Sequence, residues 1–450
     1  MTGRLLGKKN KRYYYQADSG EITVARSNTV KSIWERPRRN RLDSSRCVLC
    51  RGVKLLCGKD RCPVIVKNYS MVRTKSLINS TSLDGASPPS VFIGRIGYPK
   101  VSIGPMVPPV HGDTSYMDTP EQWSDININQ LVQFRSNLVR GKLPVHITDV
   151  ESSNKIIELT REVALAAKSP EVEVEFSKIP TGSIALNDVE QPHGPSAPIK
   201  KFDVDNIKID QRMEKAFFDT DLKARNAVVG LFGNGVLVSQ LQKAFSVGAF
   251  GLGANRRFVP TRWSITAVDS TLGEHLITFT KQYPWINEFR VYVNEHLDNR
   301  WVVMMLPAQW SYELIEAWYP KTTWNPYGQR ISIMGSHEGF NGRTTYAEIG
   351  GCYYAARLAV NEKLNEERRQ AAVVILREAH PGYILPVGVW NVRENVRKAL
   401  RTEPMKFNTI KESFEFIKNN LSIPVSKWIS KSTILQDYLF QTKLESFGII

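Results

Sequence analysis

A chain of 450 residues with 42% hydrophobic residues and ten tryptophans is long enough to bury a sizeable core, which excludes a fibrous or wholly disordered protein. No apolar run approaches the roughly 18 residues that a membrane helix needs, and residues 1–30 lack the apolar centre of a secretory signal, so a soluble protein with no membrane partner is expected. The net charge of +16 is concentrated at one end, because residues 1–62 hold sixteen Lys and Arg against five Asp and Glu.

Residues 1–43 read as a basic arm. Its interleaved Tyr13, Tyr14, Tyr15 and Trp34 could stack on bases while the cations neutralise phosphates, which makes nucleic acid the natural acidic partner. A solvated tail is the alternative. Residues 44–68 form a cysteine module in which Cys47-x2-Cys50-x6-Cys57-x4-Cys62 places four of the five cysteines within sixteen residues. Two short pairs can present four thiolates to one tetrahedral Zn²⁺, and four protein ligands leave no open position, so the role would be structural. Two disulfides or an iron–sulfur cluster are the competing readings.

From Ser80 to Pro120 the chain is dense in Gly and Pro, which predicts loop and short strand. Apolar spacing then predicts helices over Ile126–Val139 and Lys155–Lys168, and alternation predicts a strand over Val172–Phe176. Residues 188–200 read as a Pro/Gly linker, and Met213–Val229 as one helix. Two β-rich runs, Glu288–Glu295 and Arg300–Met305, flank Asp298-Asn299 as a hairpin. Tyr353–His380 reads as the longest helix, closed by Pro381-Gly382, and a short helix over Ser413–Lys418 precedes the tail. Helices and strands without a strict βαβ rhythm indicate an α+β or irregular α/β fold, with a large mixed central domain over 69–400, a helical segment over 401–435 and a tail over 436–450.

Several long strings carry a resemblance. They are Ser87-Pro88-Pro89-Ser90-Val91-Phe92-Ile93-Gly94-Arg95-Ile96-Gly97-Tyr98-Pro99-Lys100-Val101, Val259-Pro260-Thr261-Arg262-Trp263-Ser264-Ile265-Thr266-Ala267-Val268-Asp269, Gly350-Gly351-Cys352-Tyr353-Tyr354-Ala355-Ala356-Arg357-Leu358, and Pro386-Val387-Gly388-Val389-Trp390. Together with the cysteine module and the tail, they resemble the NreA family of archaeal DNA-repair proteins over nearly the whole chain. The resemblance implies DNA-damage repair in the cytoplasm, close to the nucleoid. It also implies a zinc finger on Cys47, Cys50, Cys57 and Cys62, and a C-terminal motif for the PCNA sliding clamp. Gln441-Thr442-Lys443-Leu444-Glu445-Ser446-Phe447-Gly448 is similar to the clamp peptide. There Gln441 would fill a polar pocket and Leu444 and Phe447, three apart, would share an apolar one. Gly448 stands where a second aromatic would strengthen binding.

Three glycine turns could aim amides at phosphate: Gly94–Pro99, Gly233-Asn234-Gly235 and Gly248–Gly253, with Arg95, Gly97, Asn234 and Arg262 as the phosphate or nucleic-acid candidates. Close packing explains such glycines equally well. The acidic group around His111, Asp113 and Asp118, and His337-Glu338, supports an alternative enzyme reading. In it Asp113 and Asp118 hold Mg²⁺ or Mn²⁺ beside Arg95 for phosphodiester or nuclease chemistry.

Overall fold

The computed structural model describes residues 47–182 and 191–440. The basic arm and the candidate clamp residues Gln441, Leu444 and Phe447 lie outside these described residues. Among them the chain forms two six-stranded mixed sheets with helices between and around them, which is the mixed helix-and-sheet class expected.

The first sheet is built from β1 (Ser82–Ala86), β2 (Val91–Ile93), β3 (Lys100–Val107), β4 (Val139–His146), β5 (Glu171–Phe176) and β6 (Ser196–Asp205), in the order β1-β5-β6-β4-β3-β2. Only the β4–β6 pair is parallel. Alternation decides its faces: Val172, Val174 and Phe176 turn inward onto the Lys155–Leu165 helix, while Glu173, Lys200 and Lys201 turn to water. Residues 188–200 are therefore not all linker. From Ser196 onward they are strand: Ala197 and Ile199 alternate into the core despite Pro195 and Pro198, and an irregularity at Lys200-Lys201 shifts the register so that Phe202 turns into the same core. The expected helix over Met213–Val229 is two helices, Gln211–Phe218 and Ala224–Gly233. The break falls where the Asp219 carboxylate accepts the Leu222 amide, a local bond that competes with helix continuation.

The second sheet comprises β7 (Phe289–His296), β8 (Asn299–Leu306), β9 (Ser311–Trp318), β10 (Ser332–Glu338), β11 (Ala372–Ala379) and β12 (Met405–Phe407), in the order β10-β9-β11-β8-β7-β12. The β7–β8 hairpin turns on Leu297 and Asp298, both at positive φ (51° and 54°), the backbone of a two-residue turn whose twist suits the strands. The expected helix over Tyr353–His380 ends at Glu367, and β11 follows. Arg368 takes the left-handed conformation that stops the helix, and every residue of β11 is buried, so its apolar run fills the middle of a sheet covered on both faces. One face packs on the Gly351–Glu367 and Trp390–Leu400 helices, the other on the helices from Ile410–Asn420 to Thr433–Phe440. The longest helix among the described residues is Thr261–Thr280, which lies against Gly351–Glu367 and joins the two halves. No helix there is long and apolar enough to cross a membrane.

Candidate functional site

The cysteine module is a pair of tight turns. Residues 47–50 are helical, Arg51, Gly52, Leu55 and Gly58 all take positive φ, and Cys62 stands directly before the Pro63–Lys75 helix. Gly52 is required here: a Cβ would meet Ile65 Cδ1 at 2.2 Å and Cys62 Sγ at 3.4 Å, so the turn after Cys50 passes close to the fourth cysteine. The amide of Leu56 holds the Cys50 thiol below its ordinary value against an opposing push from burial, helped by the amides of Gly52, Lys54 and Leu55. None of the five cysteines forms a disulfide. A soft, four-thiol donor set suits zinc chemically. Among the described residues, no three His, Cys, Asp or Glu side chains are gathered as a metal site. Arg61 donates to Asn129 Oδ1 at 2.8 Å and thereby ties the module to the Ile128–Asn137 helix.

The four strings quoted above meet around the start of the Thr261–Thr280 helix. The Ile93 amide donates to Thr261 Oγ1 at 3.0 Å, and the Tyr98 and Trp263 rings approach to 5.1 Å. A Cβ on Gly351 would lie 3.1 Å from both Thr266 Oγ1 and Val389 Cγ2. Burial raises the Tyr346 hydroxyl to about 12, and its ring lies 5.3 Å from that of Tyr354. Deeper in the same helix, buried Asp269 accepts from Arg393 Nη1 at 2.8 Å and from Gln242 at 2.9 Å. Burial pushes the Asp269 carboxyl up to about 6 against the pull of Arg393 and Arg397, and its Oδ2 has no hydrogen-bond partner among the described residues.

The predicted acidic residues separate. Asp118 is buried, where its carboxylate accepts from Ser90, from Arg135 at 2.6 Å and meets Lys243 at 3.3 Å. Burial alone would raise its carboxyl; Lys243, Arg135 and Ser90 together leave it below the ordinary value. Asp113 instead accepts the Ser115 amide at 3.0 Å in a local turn and faces Ser169. His111 bridges Glu171 at 2.8 Å and Asp84 at 3.6 Å. His337 lies exposed on β10, near Thr433, while its neighbour Glu338 turns inward to Arg357 at 2.8 Å. Arg95 and Gly97 sit on the exposed β2–β3 turn and Arg262 is exposed in the first turn of the Thr261–Thr280 helix, whereas Asn234 closes the Ala224–Gly233 helix and its carbonyl accepts from Arg212.

The families described as "Archaeal Nre, N-terminal" and "Archaeal Nre, C-terminal" match residues 56–325 and 338–447. This chain belongs to the archaeal Nre family. It is 41% identical to DNA repair protein NreB of Archaeoglobus fulgidus, covering 87% of this chain and 97% of that protein. It is 38% identical to DNA repair protein NreA of the same organism (83% and 92% covered), and 33% identical to DNA repair protein NreA of Haloferax volcanii (80% and 88%). No solved structure matches. Within this Nre chain the Tyr98–Trp263 pair and the Asp269–Arg393 pair escaped sequence reading. Each joins residues far apart in the chain, and the only signal was that both partners fall in or beside the quoted strings.

Proposed function

We propose that this Nre chain is a DNA-repair factor recruited to the PCNA sliding clamp through Gln441, Leu444 and Phe447. Its zinc-bound cysteine module and basic arm engage nucleic acid. The observation that carries the repair role is its likeness, across 80% or more of its length, to three relatives each named a DNA repair protein. The charge asymmetry supports a polyanionic partner, and the tail supports the clamp, since a glutamine followed by two apolar residues on one helical turn is a plug for a polar and an apolar pocket.

Cys47, Cys50, Cys57 and Cys62 would hold the zinc, which supplies a structural cross-link to a segment too small to have its own core. The cysteine spacing and the amides around Cys50 support that assignment. Elemental analysis of the reduced full chain should find about one zinc per molecule, as one four-thiolate site requires. The pair Cys47→Ser, Cys62→Ser should lose it; metal-free wild-type protein would overturn the site. Calorimetry with the clamp tests the tail: Phe447→Ala should weaken binding and removal of 441–450 abolish it. Undiminished affinity of the shortened chain would remove the clamp from the reading.

A further inference from the structure

We propose that Tyr98 and Trp263, framed by Arg95 and Arg262, form a stacking platform for the unpaired bases of single-stranded nucleic acid. The proposal rests on the nucleic-acid part of the function above, but on residues other than those of the arm and the cysteine module.

Two aromatic rings 5.1 Å apart would ordinarily be core, yet Tyr98 is 37% and Trp263 38% exposed. Around them, residues 95–100 and Arg262 are exposed, and Ile96, at 79%, adds apolar surface that nothing among the described residues covers. The two segments Arg95-Ile96-Gly97-Tyr98-Pro99-Lys100 and Thr261-Arg262-Trp263 contain three cations and no Asp or Glu. Partly exposed aromatic rings on segments that also carry exposed arginines suit a ligand that alternates flat rings with anions. The position adds to this, because Thr261 and Arg262 begin a 20-residue helix whose N-terminal end carries partial positive charge.

The platform is held in shape before any ligand arrives. Gly94 donates to Ser102 at 2.8 Å, Lys100 donates to Gly97 at 3.0 Å, and Ile93 is pinned to Thr261, so the turn is braced on both the hairpin and the helix. Gly97, at φ +87°, lets the turn close where a Cβ would meet the Lys100 carbonyl at 2.9 Å. In a duplex the base faces are already stacked and only edges are offered, so an aromatic stacking platform selects unstacked bases.

The test uses the full chain and fluorescence anisotropy with two labelled probes of equal length and charge, an oligothymidylate and an abasic phosphodiester strand. Wild type should bind the thymidylate roughly tenfold or more tightly than the abasic strand, the gain expected of base stacking. Trp263→Ala and Tyr98→Ala should each remove most of that preference and leave abasic binding unchanged, Trp263→Phe should keep it, and Arg262→Ala should weaken both probes. A matching melting temperature confirms that each variant is folded. Equal wild-type affinity for the two probes, or full preference in Trp263→Ala, overturns the platform. If wild type binds while the arm variant Arg38→Ala, Arg39→Ala, Arg41→Ala loses binding, nucleic-acid engagement survives that result. Wild type binding neither probe overturns both.

Discussion

The two sheets solve the same packing problem with different materials. The first is covered on its inner face, so its strands alternate and its outward charges pair in water, as Lys200 does with Glu175 at 2.6 Å. The second is covered on both faces, and its central strand β11 is buried at every position. The charges on β9 and β11 are therefore enclosed. Arg377 of β11 lies across from Trp301 and Glu316 in the register, its guanidinium 4.7 Å from the Trp301 ring and 4.8 Å from Trp318. It bonds Glu316 at 2.6 Å and Asn299 at 2.8 Å. An exposed charge such as Lys200 in the first sheet can be lost to solvent at little cost, whereas Arg377 on β11 has nowhere else to go. The exposed turns between strands of the first half are thus the freer place for a binding surface, and the second half is the frame behind it.

The largest effect should follow from breaking the enclosed pair. Arg377→Met strands Glu316 without its partner and should cost about 3–5 kcal/mol in denaturant unfolding. Adding Glu316→Leu should recover a large part of that loss, since an apolar replacement of both members removes the stranded charge. A near-neutral single variant would show that the second sheet is wetter than its burial implies. Asp118→Asn comes next, at about 2 kcal/mol, because it leaves Lys243 and Arg135 facing a neutral amide. Since the folded Asp118 carboxyl is depressed, its stabilisation is present above the unfolded value near pH 3.9. It is lost as the pH falls through the folded value. Stability curves of wild type and variant should therefore run parallel at neutral pH and converge in acid.

Much of this architecture was legible in the sequence where one local rule decided the outcome. Asp298-Asn299 marked the β7–β8 hairpin to within one residue, since the turn is Leu297-Asp298 and Asn299 opens β8, and the spacing of Ile128, Leu131 and Val132 marked a helix that Asn127 and Gln130 cap reciprocally. Local rules failed where burial overrode them. The apolar run of β11 has no breaker before it except Arg368, whose left-handed backbone no composition announces, so helix and strand merged in the reading. The site divides in the same way. Cysteine spacing was visible, but the partners of Asp118, Arg135 and Lys243, come from other elements, and a carboxylate beside a turn proline gives no sign that it will be enclosed.

Thr409→Ala probes the layer between these extremes. Thr409 and Glu412 form a capping box at the start of the Ile410–Asn420 helix, which covers the outer face of the second sheet through Ile417 and Leu421. Loss of the cap should cost about 1 kcal/mol, read as a lower melting temperature.

The smallest change should be Glu175→Gln in the first sheet. Lys200 and Glu175 stay 65% and 39% exposed, so water replaces the lost bond and the change should stay within about 0.5 kcal/mol. Added salt should reduce even that difference, because screening weakens an exposed pair far more than an enclosed one. A salt-insensitive loss as large as that of Arg377→Met would mean that the outward face of the first sheet is covered in solution, and the contrast between the two sheets would collapse.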